Sequence, residues 1–206
     1  MQWRQELHPN FQISINTSPV QYRNGGLDLH AWNAYLAEAG LAGSGIVVEI
    51  TEGLLMDVTG TVQQQLRSCS DAGMEIALDD FGTGYSSLSY LRRFDVDYLK
   101  IDRSFVTNLA ERSDDRVLCE AIIAMAHKLG LRVIAEGIET VQQRDLLVAA
   151  GCDYGQGYLF SKPVPASAFK MACPGPQFGA GCIDVPRTVY VPIQKVPYDT
   201  WSQRTP

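Results

Sequence analysis

A chain of 206 residues with 46% hydrophobic and 19% charged content fits one soluble globular domain, or one domain with a tail. Its 17 Lys and Arg against 23 Asp and Glu leave a formal charge of -6, which disfavours sequence-independent binding to duplex nucleic acid but leaves room for a small anionic ligand where cations line the site. The start, Met1-Gln2-Trp3-Arg4-Gln5-Glu6, lacks a signal peptide's apolar stretch, and no apolar run approaches the ~18 residues of a membrane span, so the chain reads as cytoplasmic with no membrane segment.

From Phe11 to about Phe169, short β-branched runs alternate with helical patterns, the signature of βαβ units around a parallel sheet. The periodicity predicts strands over 11–16, 46–50, 74–79, 98–102 and 132–136, with a weaker one over 152–158. Helices are predicted over 27–39, 62–72, 86–94, 114–129 and 141–150. The fourth of these places Val117, Leu118, Ala121, Ile122, Met125 and Leu129 on one apolar stripe, with Gly130 as its stop signal. Thr140 stands where an N-cap belongs before Val141, and Gly151 closes that helix.

From about Met171 the texture changes. Pro174, Pro176, Pro186, Pro192, Pro197 and Pro206 interrupt any helical period, so 171–206 reads as a Pro-rich tail beyond a domain of residues 1–170. Its strand-like piece Thr188-Val189-Tyr190-Val191 could pair with another surface, but the proline density points to a loosely ordered extension.

Each predicted strand ends in a residue able to bind a cation or handle a proton: Asn16, Glu49, Asp79 with Asp80, Lys100 with Asp102, Glu136 and Gln156. In a parallel βα barrel the C-terminal strand ends meet at one mouth, so these residues converge if the barrel forms. A helix-capping or turn role explains any one of them alone. Glu49 between Val48 and Ile50, Lys100 between Leu99 and Ile101, and Glu136 after Val133-Ile134-Ala135 resist that explanation, because an unpaired charge inside an apolar strand is costly. Several carboxylates with one lysine favour a hard cation such as Mg²⁺ or Mn²⁺.

Other chemistries find less support. His8, His30 and His127 lie off the strand ends, and the five cysteines are scattered without the spacing of a zinc site or a disulfide framework. Asp80-Phe81-Gly82-Thr83-Gly84-Tyr85 is glycine-rich but lacks the lysine of a P-loop, and reads as a mobile loop suited to a lid or a dimer contact.

Taken together, the run Asp79-Asp80-Phe81-Gly82-Thr83-Gly84-Tyr85-Ser86-Ser87-Leu88, with Leu99-Lys100-Ile101-Asp102, Ala135-Glu136-Gly137-Ile138-Glu139-Thr140 and Gly155-Gln156-Gly157-Tyr158, closely resembles EAL-domain cyclic di-GMP phosphodiesterases. Ile15-Asn16-Thr17-Ser18 and Val48-Glu49-Ile50-Thr51-Glu52 extend the match, in register from about Phe11 to Pro165. The resemblance implies an α/β fold of the TIM-type barrel, here incomplete with about six of the eight βα units of a closed barrel, plus the Pro-rich tail. It implies a two-metal site for Mg²⁺ or Mn²⁺ in which Asn16, Glu49 and Asp79 hold one ion, with Asp79 bridging to a second that Asp80 and Glu136 help to hold. Lys100 would then contact the attacking water or the phosphate, and Gln156 would support the water network. The reaction implied is hydrolysis of cyclic di-GMP to linear pGpG. Glu52 with Phe81, Gly82, Thr83 and Gly84 would form a regulatory loop and its anchor, linking the site to a homodimer.

The departure from the family is its Glu-Ala-Leu motif, which occurs nowhere in the chain, so one carboxylate ligand is missing and the N-terminal part of the domain reads as absent. The expectation is an impaired or inactive phosphodiesterase. The alternative is a non-catalytic module that binds cyclic di-GMP or a protein partner; an enolase-like barrel enzyme with Lys100 as base is a third reading that the motif match disfavours. An unclosed barrel also exposes edge strands, which predicts poor solubility or an intermolecular repair of the gap.

Overall fold

The computed structural model describes residues 11–23, 29–55, 60–84, 91, 94–165, 168, 183–184, 188–189 and 191–192. Six parallel strands pair in chain order: β1 (Ile13–Asn16), β2 (Ile46–Thr51), β3 (Glu75–Phe81), β4 (Tyr98–Ile101), β5 (Arg132–Ala135) and β6 (Tyr154–Gly155). Between them run α1 (Pro19–Arg23), α2 (Leu29–Glu38), α3 (Glu52–Leu55), α4 (Gly60–Asp71), α5 (Arg103–Thr107), α6 (Asp114–Lys128) and α7 (Val141–Ala149). The result is the expected incomplete TIM-type barrel. The predicted helix over 86–94 lies largely outside the described residues.

The strands read as they do because every second residue faces the helices. Val48, Ile50, Ile76, Leu78, Leu99, Ile101, Val133 and Ala135 join Leu66, Cys69, Cys119, Ile123, Ala126 and Leu147 in the main core. The alternate residues Val47, Ala77, Tyr98 and Ile134, with Tyr154 against them, form a second, smaller cluster inside the sheet's curl. No helix among the described residues is long and apolar enough to cross a membrane.

Two expectations need correction. In α6 the buried residues are Cys119, Ile123 and Ala126, with Ile122 and Met125 partly buried, whereas Val117, Leu118 and Leu129 are exposed. Small Ala126 and slim Cys119 allow the helix to sit close to β4 and β5, which rotates the larger apolar residues outward. Asp102 caps α5, accepting from the Ser104 backbone N–H at 2.9 Å, and it also stands beside Asp80 at the mouth. In the tail, β7 (Ile183–Asp184) and β8 (Thr188–Val189) pair antiparallel, and β9 (Val191–Pro192) pairs antiparallel with β6. The open edge is met from within the chain, because unpaired strand N–H and C=O groups hold any segment that can pair with them.

The cap signals hold. Thr140 and Gln143 form a capping box at the start of α7, and Gln143 also donates to the Val106 carbonyl at 2.9 Å, tying α7 to α5. His127 lies on the exposed side of α6 beside Asp153, at 2.8 Å.

At the N-terminal strand ends a polar group closes the barrel floor. Glu75 accepts from Arg132 at 2.6 Å, from the Tyr98 hydroxyl at 3.0 Å and from the Gln12 amide. The Arg132 guanidinium lies 4.0 Å over the Tyr98 ring, which meets Tyr154 edge-on at 5.9 Å. Burial pushes the Glu75 carboxyl up, but the bonds from Gln12, Arg132 and Tyr98 outweigh it and hold the carboxyl below its usual range. Glu75 therefore adds stability above the unfolded carboxylate range that is lost as pH falls through its lower folded value. Glu75→Gln should cost about 1–2 kcal/mol at pH 7, and the cost should shrink towards pH 3 in urea melts. An equal cost at both pH values would show that the charge on Glu75 does not hold the floor together.

Candidate active site

The same alternation that puts apolar residues outward aims Glu49, Asp79 and Lys100 into the curl, and Glu136 follows directly after β5. The Lys100 ammonium lies 2.9 Å from Glu49 Oε2, 2.9 Å from Asp79 Oδ1 and 2.5 Å from Glu136 Oε1. Lys100 and Glu49 are nearly sealed from solvent, with side chains 3% and 1% exposed, while Asp79 and Glu136 keep 15% and 16% towards the mouth. Three carboxylates from three strands thus converge on one cation, as the strand-end pattern predicted.

The charges do not balance within this group. Burial opposes the charge on Lys100, yet Glu136, Glu49 and Asp79 together raise its pKa well above the lysine range. Burial, then repulsion from Asp79 and Glu49, pushes Glu136 up to about 7 against the pull of Lys100. Glu49 is raised chiefly by burial, with Asp79 adding and Lys100 opposing. A side-chain contact with the buried Ser14 hydroxyl also lowers it. Among the described residues no three acidic, His or Cys side chains are disposed as a ready metal cage. The donor set fits a hard divalent cation: all oxygen, and in negative excess over one lysine.

The neighbouring positions differ in what fixes them. Asn16 stands in register with Glu49 at the exposed end of β1. Asp80 has φ 55, a left-handed backbone that non-glycine residues rarely take, at the point where the β3–β4 register shifts between Leu78 and Phe81. This kink turns Asp80 out of the strand's alternation, so consecutive aspartates can serve one mouth. Burial, then Asp79 and Asp102, raises the Asp80 carboxyl. Gln156 is half-buried; its backbone receives the Ile138 N–H at 2.9 Å and donates to Ala135 at 2.9 Å. Gly157 permits that approach, since a Cβ there would stand 2.1 Å from the Ile138 carbonyl oxygen.

The predicted regulatory loop divides. Phe81 is the buried last residue of β3, while Gly82, Thr83 and Gly84 are exposed. Gly82 packs on Phe105, and Thr83 donates from its hydroxyl to the Asp80 carbonyl at 2.9 Å. Glu52 lies against Gly84, where an added Cβ would be 3.0 Å from Glu52 Oε2. The remaining residues of this loop fall outside the described set. Sequence reasoning missed Thr17 and Tyr22. The Thr17 hydroxyl donates to the Glu49 carbonyl at 2.8 Å and pairs with the Tyr22 hydroxyl at 2.9 Å, pinning the backbone that carries Glu49. Neither carried a signal, because a Thr and a Tyr five positions apart are unremarkable without the fold.

Glu136 gives a test by pH. Its folded value near 7 stands above the ordinary 4.5, so between those values the native state keeps a proton that the unfolded chain has released. Stability of the metal-stripped protein should then fall by about 3 kcal/mol as pH rises through that window. Glu136→Gln should flatten the profile in denaturant melts across pH; an unchanged slope would assign the proton to another group.

Comparisons with known proteins agree with this architecture. A family model described as EAL domain matches residues 1–163. MucR of Pseudomonas aeruginosa, a bifunctional diguanylate cyclase/cyclic di-GMP phosphodiesterase, is 40% identical over 164 residues, which are 80% of this chain and 24% of that protein. NbdA of the same organism, a cyclic di-GMP phosphodiesterase, is 47% identical over 166 residues, 79% of this chain and 21% of that protein. The chain therefore spans a quarter or less of the length of these relatives. Among solved structures, the PaMucR phosphodiesterase in complex with c-di-GMP superposes with a TM-score of 0.74 at 37% identity, covering 82% of this chain and 72% of that one. BlrP1 of Klebsiella pneumoniae, in a manganese and cyclic di-GMP complex, gives 0.70 at 31% identity, covering 79% and 41%. With that family model covering most of an incomplete parallel barrel, this chain belongs to the EAL domain family.

Proposed function

We propose that the chain carries the metal- and phosphate-handling face of a cyclic di-GMP phosphodiesterase, and that its own turnover is impaired because no Glu-Ala-Leu triplet occurs in it. The observation that carries the reading is the buried Lys100 ammonium shared by Glu49, Asp79 and Glu136 at the barrel mouth. Relatives described as acting on, or solved with, cyclic di-GMP support the substrate class. The manganese complex of BlrP1 supports a divalent ion, here Mg²⁺ or Mn²⁺.

In this reading Asn16, Glu49, Asp79, Asp80 and Glu136 would hold two divalent ions. When bound, such ions acidify water and draw charge from phosphoryl oxygens. Lys100, fully charged, holds the attacked phosphate or the incoming water in place. Glu136, whose carboxylate meets Lys100 at the mouth, accepts a proton from that water. Gln156, fixed by its backbone bonds to Ala135 and Ile138, orients the water. Water adds to phosphorus, one P–O ester bond breaks, the released oxygen takes up a proton, and linear pGpG results. Residues 1–170 form the EAL unit, 171–206 an extension, and Glu52 with 81–84 a regulatory loop at a homodimer contact.

A second reading, binding of cyclic di-GMP without hydrolysis, is favoured by the same missing triplet. Chromatography of pGpG separates the two. The 206-residue chain should hydrolyse cyclic di-GMP about 100-fold or more slowly than the chain preceded by a Glu-Ala-Leu segment from a complete domain of the family, because loose positioning of the reacting groups carries a penalty of that order. Glu136→Gln in the extended protein should abolish the gain. Binding without pGpG in both lengths would favour the second reading. Equal, rapid hydrolysis by both would overturn the claim of impairment.

A further inference from the structure

We propose that β7, β8 and β9 are an intramolecular cap for the open barrel, a strand graft whose partner is the chain's own β6 edge. The six parallel strands leave two edges, β1 and β6. The β9 backbone pairs antiparallel with β6, Tyr154 opposite Pro192 and Gly155 opposite Val191. The β7–β8 pair, with Ile183 opposite Val189 and Asp184 opposite Thr188, brings β7 against β1. The described parts of the tail therefore reach both edges of the same sheet.

Three physical reasons favour this docking. First, β6 is an edge whose polar backbone is drawn inside: Gly155 is buried, Tyr154 is half-buried, and unpaired backbone groups at such depth are expensive. Second, Thr188, Val189 and Val191 are good strand formers, and Pro192 has no N–H with which to recruit another strand, so β9 ends the sheet instead of extending it. Third, the 17 residues between 165 and 183 span up to about 60 Å when extended, far enough to return to either edge without strain.

The consequence reaches the mouth, because Gly155 immediately precedes Gln156. Pairing with β9 restrains that backbone from the side opposite the bond to Ala135. The cap also excludes any other strand, from this chain or another, from the β6 edge.

Hydrogen exchange on the full chain tests the cap. Val191→Pro, which removes the N–H and crowds the pairing, should speed exchange of the 154–156 amides by at least about tenfold while leaving Leu99 and Ile101 protected. Unchanged exchange at 154–156 would overturn the proposal. Should the variant lose protection throughout, a second measurement decides without breaking the pairing: Tyr154→Cys with Pro192→Cys in one chain, mildly oxidised and peptide-mapped. A 154–192 disulfide within one chain is expected, since opposed antiparallel residues lie within disulfide reach. Absence of that bond, or its formation between two chains, would overturn the cap.

Discussion

Lys100 is an ammonium sealed beneath the barrel mouth, and it stays charged because Glu49, Asp79 and Glu136 each bring a carboxylate oxygen to it from a different strand. Removing one partner of such a buried group costs about 3–5 kcal/mol, since the remainder is left uncompensated. The mouth is therefore held by electrostatic tension as much as by packing. Three carboxylates against one lysine leave an excess that must be met by a proton, as at Glu136, or by a further cation. That choice couples what the site binds to how firmly the strand ends are held.

The rest of the barrel serves this arrangement. The floor network of Glu75, Arg132, Tyr98 and Gln12 balances its charge internally and exposes little to the mouth. Between floor and mouth the rings of Tyr98 and Tyr154, with Val47, Ala77 and Ile134, form an apolar layer. A layer of that kind keeps water from screening the charges above it, so the mouth keeps its strong interactions. Close glycine approaches and the bonds to Ile138 set the loops that frame the opening.

Much of this was legible in the sequence. A glutamate, a lysine and a glutamate set inside apolar strands betray a site, because burial without partners is unaffordable, and the period of two then fixes which way each points. What escaped was decided by packing between elements. The α6 stripe was misassigned because Val117 and Leu118 are more hydrophobic than Cys119 and Ala126, while the docked face is chosen by how closely a helix can approach. The tail's prolines argued against order, but they count residue by residue and ignore an edge that offers hydrogen bonds. Thr17 and Tyr22, which hold the Glu49 backbone, depend on a fold-level contact no local pattern announces.

The claim that the carboxylates around Lys100 form a divalent-cation site is tested most directly by the electron paramagnetic resonance signal of free Mn²⁺ titrated with the purified chain at neutral pH, with and without cyclic di-GMP. The account predicts that the chain depletes the free signal, that cyclic di-GMP deepens the depletion, and that Asp79→Asn removes most of both effects. Equal depletion by the chain and by Asp79→Asn would place the ion elsewhere and contradict the account.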